Sequence, residues 1–109
     1  MAHARVADAL ERQLQSAHGL SLAEYEVLQR LAETGEGHLR MQELAETSPL
    51  SASALSRLLG RLERAGLAER EICDEDRRGI WACITEDGRA AESRAAPTFR
   101  AALGEALDA

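Results

Sequence analysis

Apolar residues recur along the first two-thirds of this chain with a helical period. Val6, Leu10 and Leu14 stand four apart, so residues 4–17 read as one amphipathic helix. After the loop His18-Gly19-Leu20, Ser21-Leu22-Ala23-Glu24 has the form of a capping box, in which Ser21 receives the N3 amide and Glu24 reaches back. Leu22, Tyr25, Leu28, Leu31 and Ala32 then make one apolar stripe to about Thr34, and Gly35 and Gly37 end that second helix. His38–Arg40 has the length of a short strand. Met41 to Thr47 reads as a third helix with Met41, Leu44 and Ala45 inward. Pro49 disfavours helix at Ser48. Ser51 is a good N-cap for a fourth helix, along which Leu55, Leu58, Leu59 and Leu62 fall at i, i+3, i+4 and i+7.

Past Gly66 the period changes. Leu67–Cys73 and Gly79–Ile84 are strand-like, and DEDRR between them has hairpin length. Thr85 then caps a fifth helix, with Glu86 and Asp87 in a first turn where the dipole favours acids. Pro97 should interrupt that helix, leaving Phe99, Ala102, Leu103, Ala106 and Leu107 on a short sixth one. The expected fold is mainly α with a small β-hairpin wing, a winged helix-turn-helix of about six helices. Residues 1–109 form one domain in this reading, with 21–88 as its core.

Composition narrows the class. Hydrophobic (45%) and charged (29%) fractions are those of an ordinary globular chain, while 3% aromatics require an aliphatic core. No run approaches the roughly 18–20 apolar residues that span a bilayer, and MAHARVADALERQ lacks a signal-peptide core, so a cytoplasmic location is expected. Nucleophile elbow, zinc-protease, phosphate-loop and dinucleotide motifs are absent from the sequence, which points away from an enzyme. No cofactor is implied, and His3, His18 and His38 lack metal-ligand spacing. Closing the hairpin over residues 74–78 sets Cys83 opposite residue 69 or 70, too far from Cys73 for a disulfide, which needs Cα atoms within about 7 Å.

The net charge of −6 argues against nucleic acid until its distribution is considered. Residues 1–50 hold 4 Arg against 8 acids, residues 51–80 hold 6 against 6, and residues 81–109 hold 3 against 5. Between Ser51 and Arg64, Arg57, Arg61 and Arg64 face only Glu63. All 13 basic residues are Arg, which suits forked contacts to phosphate and guanine, although a Lys-free, Ala-rich chain also reads as a mark of genomic base composition.

Two helices joined by a four-residue turn, then an arginine-tipped hairpin, can place a helix in a major groove and a finger in the adjacent minor groove. With the leucines of the fourth helix inward, Ser53, Ser56, Arg57, Gly60, Arg61 and Arg64 share its outward faces, beside the cap residue Ser51. Arg57 can donate two hydrogen bonds to a guanine edge, while the serines suit phosphates. In the hairpin turn, Asp76 can hold Arg78 in one rotamer for a narrow minor groove, with Arg77 on phosphate.

From about Leu20 to Gly88 the chain resembles the MarR family of winged helix-turn-helix transcriptional regulators. The resemblance rests on LRMQELAE, LSASALSRLLGRLERAGL, and AER followed by DEDRRGIWACITEDG; Asp76-Arg77-Arg78 with the later I-T-x-x-G is its most specific part. It implies a homodimer on a roughly palindromic operator in double-stranded DNA, acting as a repressor and released by a small, often aromatic ligand. It implies that Asp76 orients Arg78, that Ser56-Arg57 lies on the major-groove face, and that Arg70 supports the wing or touches phosphate. The departures are Ala54 where Thr is frequent, Gly60 inside the recognition helix, Glu71 in place of a basic residue, and short flanks at 1–20 and 89–109. Val6, Leu10 and Leu14, with Phe99, Leu103 and Leu107, are the dimerisation candidates, and either stripe could equally be intramolecular core. The competing reading is a winged-helix protein-interaction module, an antagonist or adaptor with little DNA affinity, which the net acidity favours.

Overall fold

A computed structural model describes residues 2–72 and 79–108. In chain order it contains α1 (Ala2–His18), α2 (Leu22–Glu33), β1 (His38–Arg40), α3 (Met41–Thr47), α4 (Ala52–Arg64), β2 (Ala68–Ile72), β3 (Ile80–Ile84) and α5 (Glu86–Asp108). The capping box at α2 forms as its sequence requires. Ser21 Oγ accepts from the Glu24 amide at 3.0 Å, and Glu24 Oε1 accepts from the Ser21 amide at 2.8 Å. The strands form one antiparallel sheet in the order β1-β3-β2. Its register sets Cys83 between Glu69 and His38, the pairing expected from hairpin length.

Leucines from every early helix meet in a single core. Leu14, Leu28, Leu31, Leu44, Leu55 and Leu59 are buried together with Tyr25, and Ala82 of β3 closes the cluster from the sheet side. Among the described residues no charged side chain is buried; the Tyr25 phenol, 1% exposed, is the one titratable group among them that lies in the core. No described helix is long and apolar enough to cross a membrane.

The C-terminal region departs from expectation. Pro97 does not divide it: α5 runs unbroken for 23 residues, giving five helices among the described residues rather than about six. Proline removes the amide that would bond the Ser93 carbonyl. Ser93 and Pro97 are both exposed, so water can take up that carbonyl. On the opposite side Ala91, Ala95 and Ala102 are buried, and α5 packs along α1. Tertiary packing of that small-residue face carries the helix through the proline.

Candidate nucleic-acid interface

Local sequence dictates how α4 is presented. Ser51 Oγ accepts from the Ala54 amide at 3.1 Å, which fixes the first turn. Leu55, Leu58, Leu59 and Leu62 are at most 1% exposed. That anchoring turns Ser53, Arg57, Arg61 and Arg64 to solvent, with Ser56 and Gly60 half-buried beside them. Two basic residues in the last turn also suit the negative end of the helix dipole.

The strand after α4 completes the site. Gly66 adopts φ +77°, a left-handed turn that sends the chain back along the helix. Arg70 of β2 then lies against α4. Its Nε donates to Glu63 Oε1 at 2.7 Å, and its Nη1 donates to Ser56 Oγ at 3.0 Å. Ser56, Arg57, Gly60, Arg61, Arg64 and Arg70 together line an open groove of about 360 Å³. Among the described residues Arg61 makes only a long contact, 3.9 Å, to Glu24. Among the described residues Arg57 and Arg64 have no ion-pair partner, so their guanidinium groups are available to an anion. Four arginines around one groove, with Glu63 committed to Arg70, make a local cationic surface on an acidic chain.

Sequence reasoning thus named Ser51, Ser53, Ser56, Arg57, Arg61 and Arg70, and the structure sets all six on or beside α4. Arg64 and Gly60 also line the groove. The leucine stripe already set Arg64 and Gly60 on the outward faces of α4, Arg64 seven residues after Arg57 and three after Arg61. The Glu63–Arg70 pair has no such signal, because it depends on where β2 lies. Asp76, Arg77, Arg78 and Cys73 lie outside the described residues.

The joint between this surface and α5 is tight. Thr85 Oγ1 donates to the Gly66 carbonyl at 2.7 Å and accepts from the Gly88 amide at 2.9 Å. Gly88 is buried, and a β-carbon there would overlap the Leu67 carbonyl oxygen. The first turn of α5 is therefore pinned to the end of α4.

The dimerisation candidates divide by environment. Leu10 and Leu14 are buried within the protomer, and Phe99 stacks on Tyr25 with ring centroids 4.9 Å apart. Val6 and Leu103 are half-buried, and Leu107 is 68% exposed. Burial, then the nearby Glu92 carboxylate, push the Tyr25 phenol up to about 12, and its hydroxyl donates to Glu92 Oε2 at 3.3 Å. On the outer face of the sheet Cys83 is a free thiol, raised above its usual range by partial burial and by Glu71 and Glu69.

A second concavity, about 370 Å³, opens between α1, α2, α3 and the turn before α4. Leu22, Val27, Leu44 and Leu50 give it an apolar floor, and Glu26 and Arg30 stand at its wall. Partial burial raises the Glu26 carboxyl above the ordinary range.

Comparison with known proteins agrees with this geometry. The model of the MarR family matches residues 18–79, from the end of α1 to the residue before β3. A solved structure of Sco3205, a MarR family transcriptional regulator from Streptomyces coelicolor in complex with DNA, superposes with a TM-score of 0.93 at 38% identity. That match covers 97% of this chain and 66% of the other. CouR from Rhodococcus jostii RHA1, bound to p-coumaroyl-CoA, matches at TM-score 0.83 and 28% identity over 94% of this chain and 70% of its own. YfiV, an HTH-type transcriptional regulator of Bacillus subtilis (strain 168), is 33% identical over 70 residues, 64% of this chain but only 42% of that protein. The chain thus spans less than two-thirds of the DNA-bound relative and less than half of YfiV. With helix-turn-helix, three-stranded wing sheet and flanking helices all superposing on regulators of one kind, this chain belongs to the MarR family of transcriptional regulators.

Proposed function

We propose that the protein binds duplex DNA sequence-specifically as a homodimer on a palindromic operator and represses transcription. The observation that carries this reading is the groove between α4 and β2, which gathers four arginines in a chain of net charge −6. In this reading α4 enters a major groove, Arg57 reads a guanine, and Ser51, Ser53, Ser56, Arg61 and Arg64 hold phosphates and set register. Arg70 acts mainly as a positioning residue, since Glu63 and Ser56 already occupy its guanidinium. Asp76, Arg77 and Arg78 extend the contact into the flanking minor groove. The exposed Leu107 and the half-buried Val6 and Leu103 supply the outer surface of α1 and α5 to a partner protomer. The two recognition helices then meet successive major grooves about 34 Å apart.

Release by a small ligand fits the same arrangement. The apolar concavity between α1, α2 and α3 is of small-molecule size and touches the turn that leads into α4, so a bound aromatic compound would bear on the recognition helix. Its support is the concavity itself and the acyl-CoA bound to CouR. Selection of bound duplexes from a random pool tests the whole proposal. A two-fold symmetric consensus is the expected result; the absence of any enriched sequence contradicts it.

A further inference from the structure

Among the described residues three large apolar side chains stand exposed: Leu107 on α5, and Ile72 (75% exposed) and Ile80 (46%) on the wing. The two wing residues are direct partners across the β2–β3 ladder. Directly opposed side chains on one face have Cβ atoms about 4.5–5.5 Å apart, so together they form one continuous apolar patch. Side chains alternate along a strand, so Ile72 shares the face of Arg70. That is the face whose guanidinium bonds Ser56 and Glu63 of α4. The opposite face carries Glu69, Glu71, Trp81 and Cys83. The isoleucines thus continue the arginine groove outward along the wing. Among the described residues no side chain covers them, and a polar pair would serve the hairpin equally well in water.

We infer that Ile72 and Ile80 form an apolar grip on duplex DNA, packing against the deoxyribose faces of the backbone beside the groove that the wing enters. The inference rests on the DNA-binding reading above. Sugar edges are the apolar part of the backbone, and contact with them adds affinity without releasing a counterion. That gives the grip a signature no arginine shares. Neutralising one phosphate steepens the dependence of log K on log salt by about 0.9, whereas apolar contact shifts the line without tilting it.

The test compares wild type with Ile72→Val/Ile80→Val and Ile72→Thr/Ile80→Thr, on the duplex that wild type itself enriches from a random pool. All these residues are β-branched and keep the strand's preference, and the exposed sites predict little change in melting temperature. The expected result is graded: a small loss for the Val pair, about tenfold for the Thr pair, both at the wild-type salt slope. Unchanged affinity in the Thr pair overturns the grip while leaving DNA binding intact. So does a loss that comes with a shallower slope, which would mean the hairpin had loosened and dropped its ionic contacts. A loss that tracks a change in oligomeric state would place the patch between copies of the chain and also overturn it. If wild type retains no duplex at low salt, the DNA-binding reading falls, and the grip with it.

Discussion

Gly60 lies in the interior of α4 and on the wall of the arginine groove, so its replacement by alanine separates folding from binding. A helix-interior glycine costs about 1 kcal/mol against alanine. Recovering that gain depends on whether the new β-carbon has room. At Gly60 it would lie 3.6 Å from Arg64 Nη1 and 3.8 Å from Arg70 Nη2, ordinary van der Waals distances to the ends of flexible side chains. No packing cost offsets the gain, so Gly60→Ala should raise stability by about 1 kcal/mol. For a domain of this size the melting temperature should rise by about 4–8 °C. The same methyl fills space where a phosphate or base edge would approach the bare backbone, so duplex affinity should fall. Gly88→Ala supplies the contrast: a β-carbon there overlaps the Leu67 carbonyl and approaches Ile84 Cγ1 to 2.7 Å. Backbone cannot yield as a guanidinium can, so overpacking of about 1–3 kcal/mol outweighs the helix gain and this variant should melt lower. Thermal melting followed by far-UV circular dichroism, beside duplex titration, measures both. A Gly60→Ala protein that melts below wild type, or binds duplex more tightly, would refute the reasoning.

Other expectations follow from the same geometry. Arg57→Ala should lose about 1–3 kcal/mol of preference for its guanine and relax selectivity at one position of each half-site, measured by competition between operator variants; equal losses on every duplex would reassign Arg57 to phosphate. Tyr25 holds its proton to about 12 when folded, while an unfolded tyrosine loses it near pH 10. Between those values the unfolded chain binds fewer protons, so stability should fall as pH rises, by at most about 1.4 kcal/mol per pH unit. Tyr25→Phe should flatten that decline in alkaline denaturant titrations. Because Tyr25 is the single tyrosine, tyrosinate absorbance near pH 10 in the folded protein would contradict it. In a Cys73→Ser background Cys83 should react with a disulfide reagent at neutral pH more slowly than an unperturbed thiol, and Glu71→Gln should speed it. Faster reaction than free cysteine would show the reverse environment.

Periodicity made most of this fold legible. The four leucines of α4 are all buried, the Ser21–Glu24 box caps α2, and a five-residue turn was enough to set Cys83 opposite residue 69 or 70, where the ladder pairs it with Glu69. What local sequence could not decide was settled by partners distant in the chain. Pro97 reads as a break until α1 is seen packing against the alanine face of α5. Leu10, Leu14 and Phe99 fit a dimer seam or a core equally well by spacing; in the fold Leu10 and Leu14 are buried, and Phe99 packs half-buried on Tyr25. Likewise the outward residues of α4 followed from its leucine stripe, but the commitment of Arg70 to Glu63 and Ser56 required β2 to be laid alongside. It is that strand which turns a charged helix face into a groove.

The most direct test of the central claim is a salt titration of duplex binding by the intact chain. If the arginine groove engages the phosphate backbone, log affinity must fall linearly with log salt, with a slope near −0.9 for each phosphate neutralised, and Arg64→Ala must make it shallower by about that amount. A chain that retains no duplex even at the lowest salt, or whose affinity ignores salt, would contradict the account.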